Sequence, residues 1–321
     1  MTRYLFRRIG AGILTLWVVS ILIFIGTEVV PGDVATAILG RSATPEALET
    51  VRERLELDRP AAERYWGWFT GAIQGDLGES SAQTLASGRG APMWPLISGR
   101  LENSAILAVA TMILLIPLGL GLGILAAIHA GRRLDHGISA GSLSAMSLPE
   151  FVTGALLILV FSVWLDLLPG VSLLSSGTSP LGRPEILVLP VITLLLVSLA
   201  HTIRMIRAGM IEVLDSQYIE MARLSGHPEH RIVRRHALRN ALAPTVMVIA
   251  LTVQWLVGGI IVTEVVFGYP GLGQAMVQSV ESRDVGFVQS VAMLIATIYV
   301  ALNIIADLLV VFLIPKLRTA P

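Results

Sequence analysis

The segment YIEMARLSGHPEHRIVRRHALRNALAPT, residues 218–245, is polar and helix-prone, yet it lies between two long apolar runs. It contains five arginines and three histidines. The chain of 321 residues around it is 54% hydrophobic and only 14% charged, whereas a soluble domain has roughly a quarter of charged residues. The composition therefore indicates a membrane protein, and the polar segment marks a part of it that lies outside the bilayer.

Six apolar runs are long enough to cross a bilayer, because a spanning helix needs about 20 apolar residues. They occupy roughly residues 9–30, 104–130, 138–165, 186–206, 242–266 and 288–314. An even number of spans places both termini on one side of the membrane. Arg3, Arg7 and Arg8 precede the first run. Lys316 and Arg318 follow the last one, so the positive-inside rule predicts that both termini are cytoplasmic.

The same rule places two further basic stretches in the cytoplasm. One is the short loop with Arg132 and Arg133, and the other is the segment 207–240, which holds six arginines. The first apolar run ends in VVPGD without a small-residue cleavage site, so we expect a retained anchor rather than a removed signal. The expected organisation has five parts. They are an anchor over 1–30, an extracytoplasmic loop over 31–101, a core transmembrane domain over 102–314 that includes the cytoplasmic segment 207–240, and a cytoplasmic tail over 315–321.

The long loop between the first two spans carries helix signals. Thr44 before Pro45 is typical of a helix start, and Pro60 can open a second helix. Apolar residues recur at helical spacing after it, namely Ala62, Trp66, Phe69 and Ile73. We therefore expect a small helical cap outside the membrane. It either covers the bundle or forms a docking surface for an external partner.

Several classes of function lack the residues that they require. The charges balance, with 23 basic and 23 acidic residues, which argues against a nucleic-acid partner. A P-loop needs a lysine, and the only lysine is Lys316 in IPKLR, so no ATP site of that type is expected here. There is no cysteine, and the six histidines show no ligand spacing on a span. We expect no metal or cofactor site in this chain.

Ionisable residues within the apolar runs offer an alternative function. The candidates are Glu150, Glu264, Asp307 and His201, and such groups often mark ion pathways because a charge in hydrocarbon is costly. An ion-coupled secondary transporter that uses Glu150 and Asp307 is therefore one hypothesis, and a scaffold without transport is another. For Glu150, a carboxyl group satisfied by donors on a neighbouring helix remains the structural alternative.

The cytoplasmic segment reads as two short helices joined by a sharp turn. Ser216 can cap a helix that runs to Ser225, and Gly226 suits the left-handed position that ends it. Ile219, Ala222 and Gly226 share one flat apolar face. We expect this face to be exposed and to need a partner.

The second short helix of the segment carries positive charge. Pro228 can begin it as the first helical residue, and Arg231, Arg235 and Arg239 recur four residues apart as a basic stripe. Such a stripe suits the lipid headgroups of the inner surface or an acidic partner.

The segment resembles the signature loop of the inner-membrane permease subunits of ABC importers. Glu220, Ala222 and Gly226 match the E-A-A and Gly positions of that loop, and Met221 replaces its first Ala. The stretch HALR at 236–239 is similar to the dipeptide, oligopeptide and nickel subfamily. Four more stretches support this resemblance over essentially the whole chain: VPGDVATAILG (30–40), GDLGES (75–80), TEVVFGYPGLGQAMVQSVESRD (263–284) and NIIADLL (303–309).

The resemblance implies an all-α membrane protein of the type I ABC importer permease fold, with six transmembrane helices, in a bacterial inner membrane. It implies a second homologous permease, two cytoplasmic ATPases that bind ATP and Mg²⁺, and an extracytoplasmic substrate-binding protein. The segment 207–240 would be the coupling segment. Its expected ATPase-coupling residues are Tyr218, Ile219, Glu220, Ala222, Arg223, Gly226 and His227. Di- or oligopeptides are the expected solutes, with nickel complexes, glutathione-like molecules and sugars left open.

Overall fold

The computed structural model describes residues 2–28, 44–54, 58–80, 84, 90–174 and 178–313. Within these ranges the chain is helical, so the predicted all-α fold is confirmed. The helices are α1 (Thr2–Glu28), α2 (Pro45–Arg54), α3 (Ala61–Ile73), α4 (Met93–Ile128), α5 (Arg133–Met146), α6 (Glu150–Leu157), α7 (Glu185–Leu214), α8 (Gln217–Leu224), α9 (Glu229–Arg231), α10 (Leu238–Phe267), α11 (Leu272–Glu281) and α12 (Val285–Leu313). The motif at 30–40 and the tail at 315–321 lie outside the described residues.

Among the described helices, five are long and apolar enough to cross a membrane: α1, α4, α7, α10 and α12. The third predicted span, 138–165, is not one straight helix. It consists of α5 and α6, which are bent by 99° at a short break, and α6 continues as a π-helical turn over Ile158–Trp164. Pro149 precedes α6 with φ −58°. Its ring removes an N–H donor and disfavours a helical conformation at the residue before it. The described residues therefore hold five candidate spans, or six if the bent pair crosses as one.

The chain forms two compact units. Of the described residues, the first comprises those within 105–269 and 302–313, and the second comprises those within 2–104 and 270–301. In the first unit, α7 is the most extensively buried of the spans. An apolar cluster there joins α4, α7 and α10 through Leu107, Leu115, Ile186, Leu194, Leu256 and Ile260.

Two glycines of α4 allow it to pack closely on α7. A Cβ atom at Gly119 would lie 2.7 Å from the Cγ2 atom of Thr202, and one at Gly123 would lie 2.8 Å from the Cβ atom of Ile206. Small residues at such positions let membrane helices approach, and van der Waals contact then holds them together. The helix α7, which leads into α8, is thus held closely against α4.

In the second unit, α3 packs against α1. The rings of Phe24 and Tyr65 meet edge to face at 5.4 Å, and the hydroxyl groups of Ser20 and Tyr65 lie 3.0 Å apart. Helices begin after Thr44 and Pro60 as predicted. Of the apolar residues at helical spacing in α3, Trp66 and Ile73 are exposed.

Candidate functional site

The segment 207–240, which is expected to couple to the ATPases, is built around α8, which follows α7 after a two-residue turn. Ser216 occupies the N-cap position as predicted, but its hydroxyl donates to the Val213 carbonyl instead of capping the helix. Gly226 has φ +77°, and its N–H donates to the Arg223 carbonyl at 3.0 Å. The prediction that Gly226 ends α8 in a left-handed conformation is confirmed.

Ile219 faces the protein rather than the solvent. Its exposed fraction is 0%, and it packs in an apolar cluster with residues of α4, α7 and the following π-helical turn. The other buried members are Ala127, Met210, Leu214, Ile232 and Ala237. The expectation that the face with Ile219, Ala222 and Gly226 is left open for a partner was therefore wrong for Ile219, because the chain covers it itself.

A different side of α8 exposes large apolar side chains. Tyr218, Met221 and Leu224 recur every three residues and are all exposed, with Leu224 at 76%. We call these three residues the outer row. The amide of Asn240 donates to the Tyr218 hydroxyl at 2.9 Å, which ties one end of the outer row to α10. The sequence analysis missed this row because it assigned the apolar face of the helix to Ile219, Ala222 and Gly226, which lie on a different side of α8.

Polar residues surround the outer row. Glu220 is exposed, and the Arg223 guanidinium contacts the Glu229 carboxylate at 2.8 Å across the turn that contains Gly226. The His227 ring stacks on the ring of His236 at 5.8 Å. A cavity of about 500 Å³ lies beside α8, and it is lined by Leu214, Asp215, Ser216, Glu220, Arg223 and Leu224.

The second short helix of the segment differs from its prediction. Pro228 precedes α9 as the N-cap residue instead of being its first residue, and the chain then forms a π-helical turn over Ile232–Ala237 before α10. A π-helix has hydrogen bonds from i to i+5, so a spacing of four residues does not form a stripe there. Arg231 and Arg235 are nevertheless exposed, while the side chain of Arg239 lies outside the described part.

An ion pair that the sequence did not predict joins α5 to α7 within the first unit. The Arg207 guanidinium contacts both carboxylate oxygens of Asp135, at 2.6 and 2.7 Å. The N–H of Gly131 and the hydroxyl of Ser139 also donate to this carboxylate, at 2.9 and 3.3 Å. Asp135 is only 2% exposed. The pair fixes the start of α5 against the half of α7 that leads into α8.

Glu150 lies at a second, separate place in the first unit. Its Oε1 atom accepts a hydrogen bond of 2.6 Å from the Thr263 hydroxyl, which agrees with the structural alternative weighed for this residue. Glu150 also lines a cavity of about 500 Å³ between α6, α7 and α10. Asp307 is not among the residues that line this cavity, so the geometry does not bring the two carboxyl groups of the ion-coupled hypothesis together there.

The architecture defines a class of protein. Among the described residues, five or six apolar helices with the short helix α8 between two of them are the architecture of a multi-pass membrane protein. Family models agree with this class. Residues 119–319 match the binding-protein-dependent transport system inner membrane component, and residues 1–92 match the N-terminal part of such membrane components. The chain belongs to this family.

Similar proteins cover the chain from end to end. The probable peptide ABC transporter permease protein y4tP of Sinorhizobium fredii is 33% identical over 98% of this chain and 99% of its own length. The glutathione transport system permease protein GsiC of Escherichia coli is 35% identical over 99% of both chains.

A solved structure shows the same fold. A chain of the MetNI methionine ABC transporter, in inward-facing conformations, aligns with a TM-score of 0.53 and 20% identity, over 69% of this chain and 97% of that one. The predicted family and fold are confirmed: the chain is a multi-pass permease subunit of an ABC importer in the inner membrane.

Proposed function

We propose that this permease forms half of a translocation path for di- or oligopeptides. A second homologous permease completes the path, two cytoplasmic ATPase subunits bind ATP and Mg²⁺ and hydrolyse the ATP, and an extracytoplasmic protein delivers the solute. The names of the relatives support the solute class, because one is a peptide permease and the other carries glutathione, itself a peptide. The family description supports dependence on a binding protein.

The single observation that carries the coupling role is the two-sided construction of α8. Its outer row presents Tyr218, Met221 and Leu224 to solvent, and a short exposed apolar row is the kind of surface that fills a hydrophobic groove on a partner. Its inner side is anchored by Ile219 in the cluster shared with α4 and α7. A force applied to the outer row by an ATPase therefore reaches the transmembrane helices.

The other coupling residues support this arrangement in different ways. Ala222 is half-buried beside Ile219 and keeps α8 close to the rest of the chain. Gly226 allows the sharp turn after α8. Glu220, Arg223 and His227 provide charged and polar contacts around the outer row, where they add specificity more than affinity.

The proposed organisation follows the charges of the sequence. The N-terminus of the anchor over 1–30, the tail over 315–321 and the coupling segment 207–240 face the cytoplasm, where the exposed arginines near the membrane also contact anionic lipid. The loop over 31–101 faces outward, where it can meet the delivery protein. The core domain over 102–314 contains the path.

A pair of glycine substitutions tests this role. Gly226→Val places a β-branched residue at φ +77°, a conformation in which such residues are strained. Gly75→Val is the matched control, because Gly75 has φ +84° in the loop over 31–101 and neither position has an atom within 4 Å of an added Cβ. Gly226→Val should abolish ATP-driven uptake in proteoliposomes and reduce co-purification of the ATPases, with membrane insertion unchanged.

The control should retain its ATPase subunits. Equal ATPase retention and uptake in the Gly226→Val complex and the wild type would overturn the coupling role. Uptake by the isolated permease under an ion gradient, without any ATPase, would overturn the proposed function and favour the ion-coupled alternative.

A further inference from the structure

The cavity beside Glu150 lies halfway along two spans of the first unit. It is lined on α7 by Leu194, Val197, Ser198 and His201, and on α10 by Thr252, Trp255, Leu256, Gly258, Gly259 and Val262. Its volume of about 500 Å³ is within the range of small-molecule sites, which are mostly apolar with a few placed polar groups. The coupling role of α8 makes no use of this cavity.

Glu150 is the acidic residue among the described residues that line this cavity. Its Oε1 atom is held by the Thr263 hydroxyl, which fixes the orientation of the side chain. Its Oε2 atom has no hydrogen-bond partner among the described residues. A carboxylate that is held by one oxygen and open at the other can accept a hydrogen bond from a cation.

Gly259 provides the space that this carboxyl group occupies. A Cβ atom at Gly259 would lie 2.8 Å from the Oε2 atom and 3.1 Å from the Oε1 atom of Glu150. Its neighbour Gly258 also lines the cavity, but nothing lies within 4 Å of a Cβ atom added there. The Glu150 carboxyl group therefore packs directly against the backbone of α10 at Gly259, whereas the space beside Gly258 is open.

An aromatic side chain of the same cavity lies one helical turn from Gly259. Trp255 precedes Gly259 by four residues, which is about 6 Å along a helix, and its ring stacks on the His201 ring at 6.3 Å. Trp255 is 77% exposed. The indole ring is the best cation–π acceptor among side chains, so a small cation in the cavity can meet both a negative charge and an aromatic face.

We propose that this cavity binds the free ammonium group of the transported solute, with the Glu150 carboxylate as its counter-ion and Trp255 as an aromatic wall. The inference rests on the proposed import of peptides, whose free amino terminus is such a group. The apolar remainder of the lining then contacts the body of the peptide.

Direct binding tests the contact independently of transport. The assembled complex in nanodiscs is titrated with radiolabelled trialanine and with N-acetyl-trialanine, which keeps the peptide body but lacks the ammonium group. The wild type should bind trialanine at least about tenfold more tightly than the acetylated peptide, the loss expected for a contact with a charged group. Glu150→Gln should remove this preference, since it keeps the size of the side chain and loses the charge.

The two glycines supply the matched control. Gly259→Ala should weaken trialanine binding about as much as Glu150→Gln, because it displaces the carboxyl group, and Gly258→Ala should leave binding unchanged. Equal binding of both peptides, no effect of Glu150→Gln, or no trialanine binding at millimolar concentration would overturn the proposal. The last result would be expected if a side chain of the second permease fills the cavity.

Uptake by the same complex in proteoliposomes separates this contact from the proposed function. ATP-driven trialanine uptake without binding at Glu150 would leave the importer function standing and reject the contact. Ammonium-dependent binding without ATP-driven uptake would support the contact and reject the function.

Discussion

Removal of the Arg207 charge should destabilise the protein more than removal of the Asp135 charge. The Asp135 carboxylate is 2% exposed in the wild type, and in Arg207→Met it keeps only the neutral donors of Gly131 and Ser139. Breaking a buried pair costs about 3–5 kcal/mol. We expect about 2–3 kcal/mol here, because Arg207 is 30% exposed and water can enter where its head was. In Asp135→Asn the Arg207 guanidinium can be solvated by water, so the loss of unfolding free energy should be about 1 kcal/mol.

The double variant gives the decisive comparison. Asp135→Asn combined with Arg207→Met leaves no buried charge, so it should be more stable than Arg207→Met alone. The apparent melting temperature of the purified complex measures this order, at about 2–4 °C per kcal/mol. If the double variant melts no higher than Arg207→Met, the unpaired carboxylate is not the cause of the loss and the reasoning fails.

Two further predictions concern α8. Ile219→Ala should cost about 2–5 kcal/mol and speed amide hydrogen exchange over residues 217–237, whereas Leu224→Ala should leave exchange unchanged and weaken only the stimulation of the ATPases. The same exchange rates in both variants would contradict the two-sided construction. Tyr218→Phe removes the bond from Asn240 and should cost about 1 kcal/mol, with a double-mutant cycle against Asn240→Ala as the measurement. A coupling energy near zero in that cycle would show that the bond does not hold α8 to α10.

Local chemistry explains which features could be predicted from the sequence. The apolar runs predicted the spans because the length of a spanning helix is fixed by the bilayer. The left-handed conformation at position 226 could be predicted because glycine is one of the few residues that adopt it readily. Pro149 was visible as well, but its effect was underestimated, since prolines within membrane helices are often tolerated and this one accompanies a bend of 99°.

The features that could not be predicted depend on partners far away in the chain. Ile219 lies on an apolar face in any helical projection, but the projection does not tell whether the protein or a partner covers that face. Asp135 and Arg207 are 72 residues apart, and neither has a neighbour in sequence that indicates the pair. The cavity beside Glu150 likewise needs three helices to be in place.

The π-helical turn over Ile232–Ala237 sets the phase of everything that follows it. Each extra residue in a helix rotates the downstream part by about 100°, and the helix continues without interruption from this turn into α10. The π-helical turn therefore sets the rotation of α10 at which Trp255 and Gly259 line the same cavity as residues of α7. In the proposed coupling role, the turn that follows α8 and packs against Ile219 is therefore also the element that determines which side chains of α10 line the cavity beside Glu150.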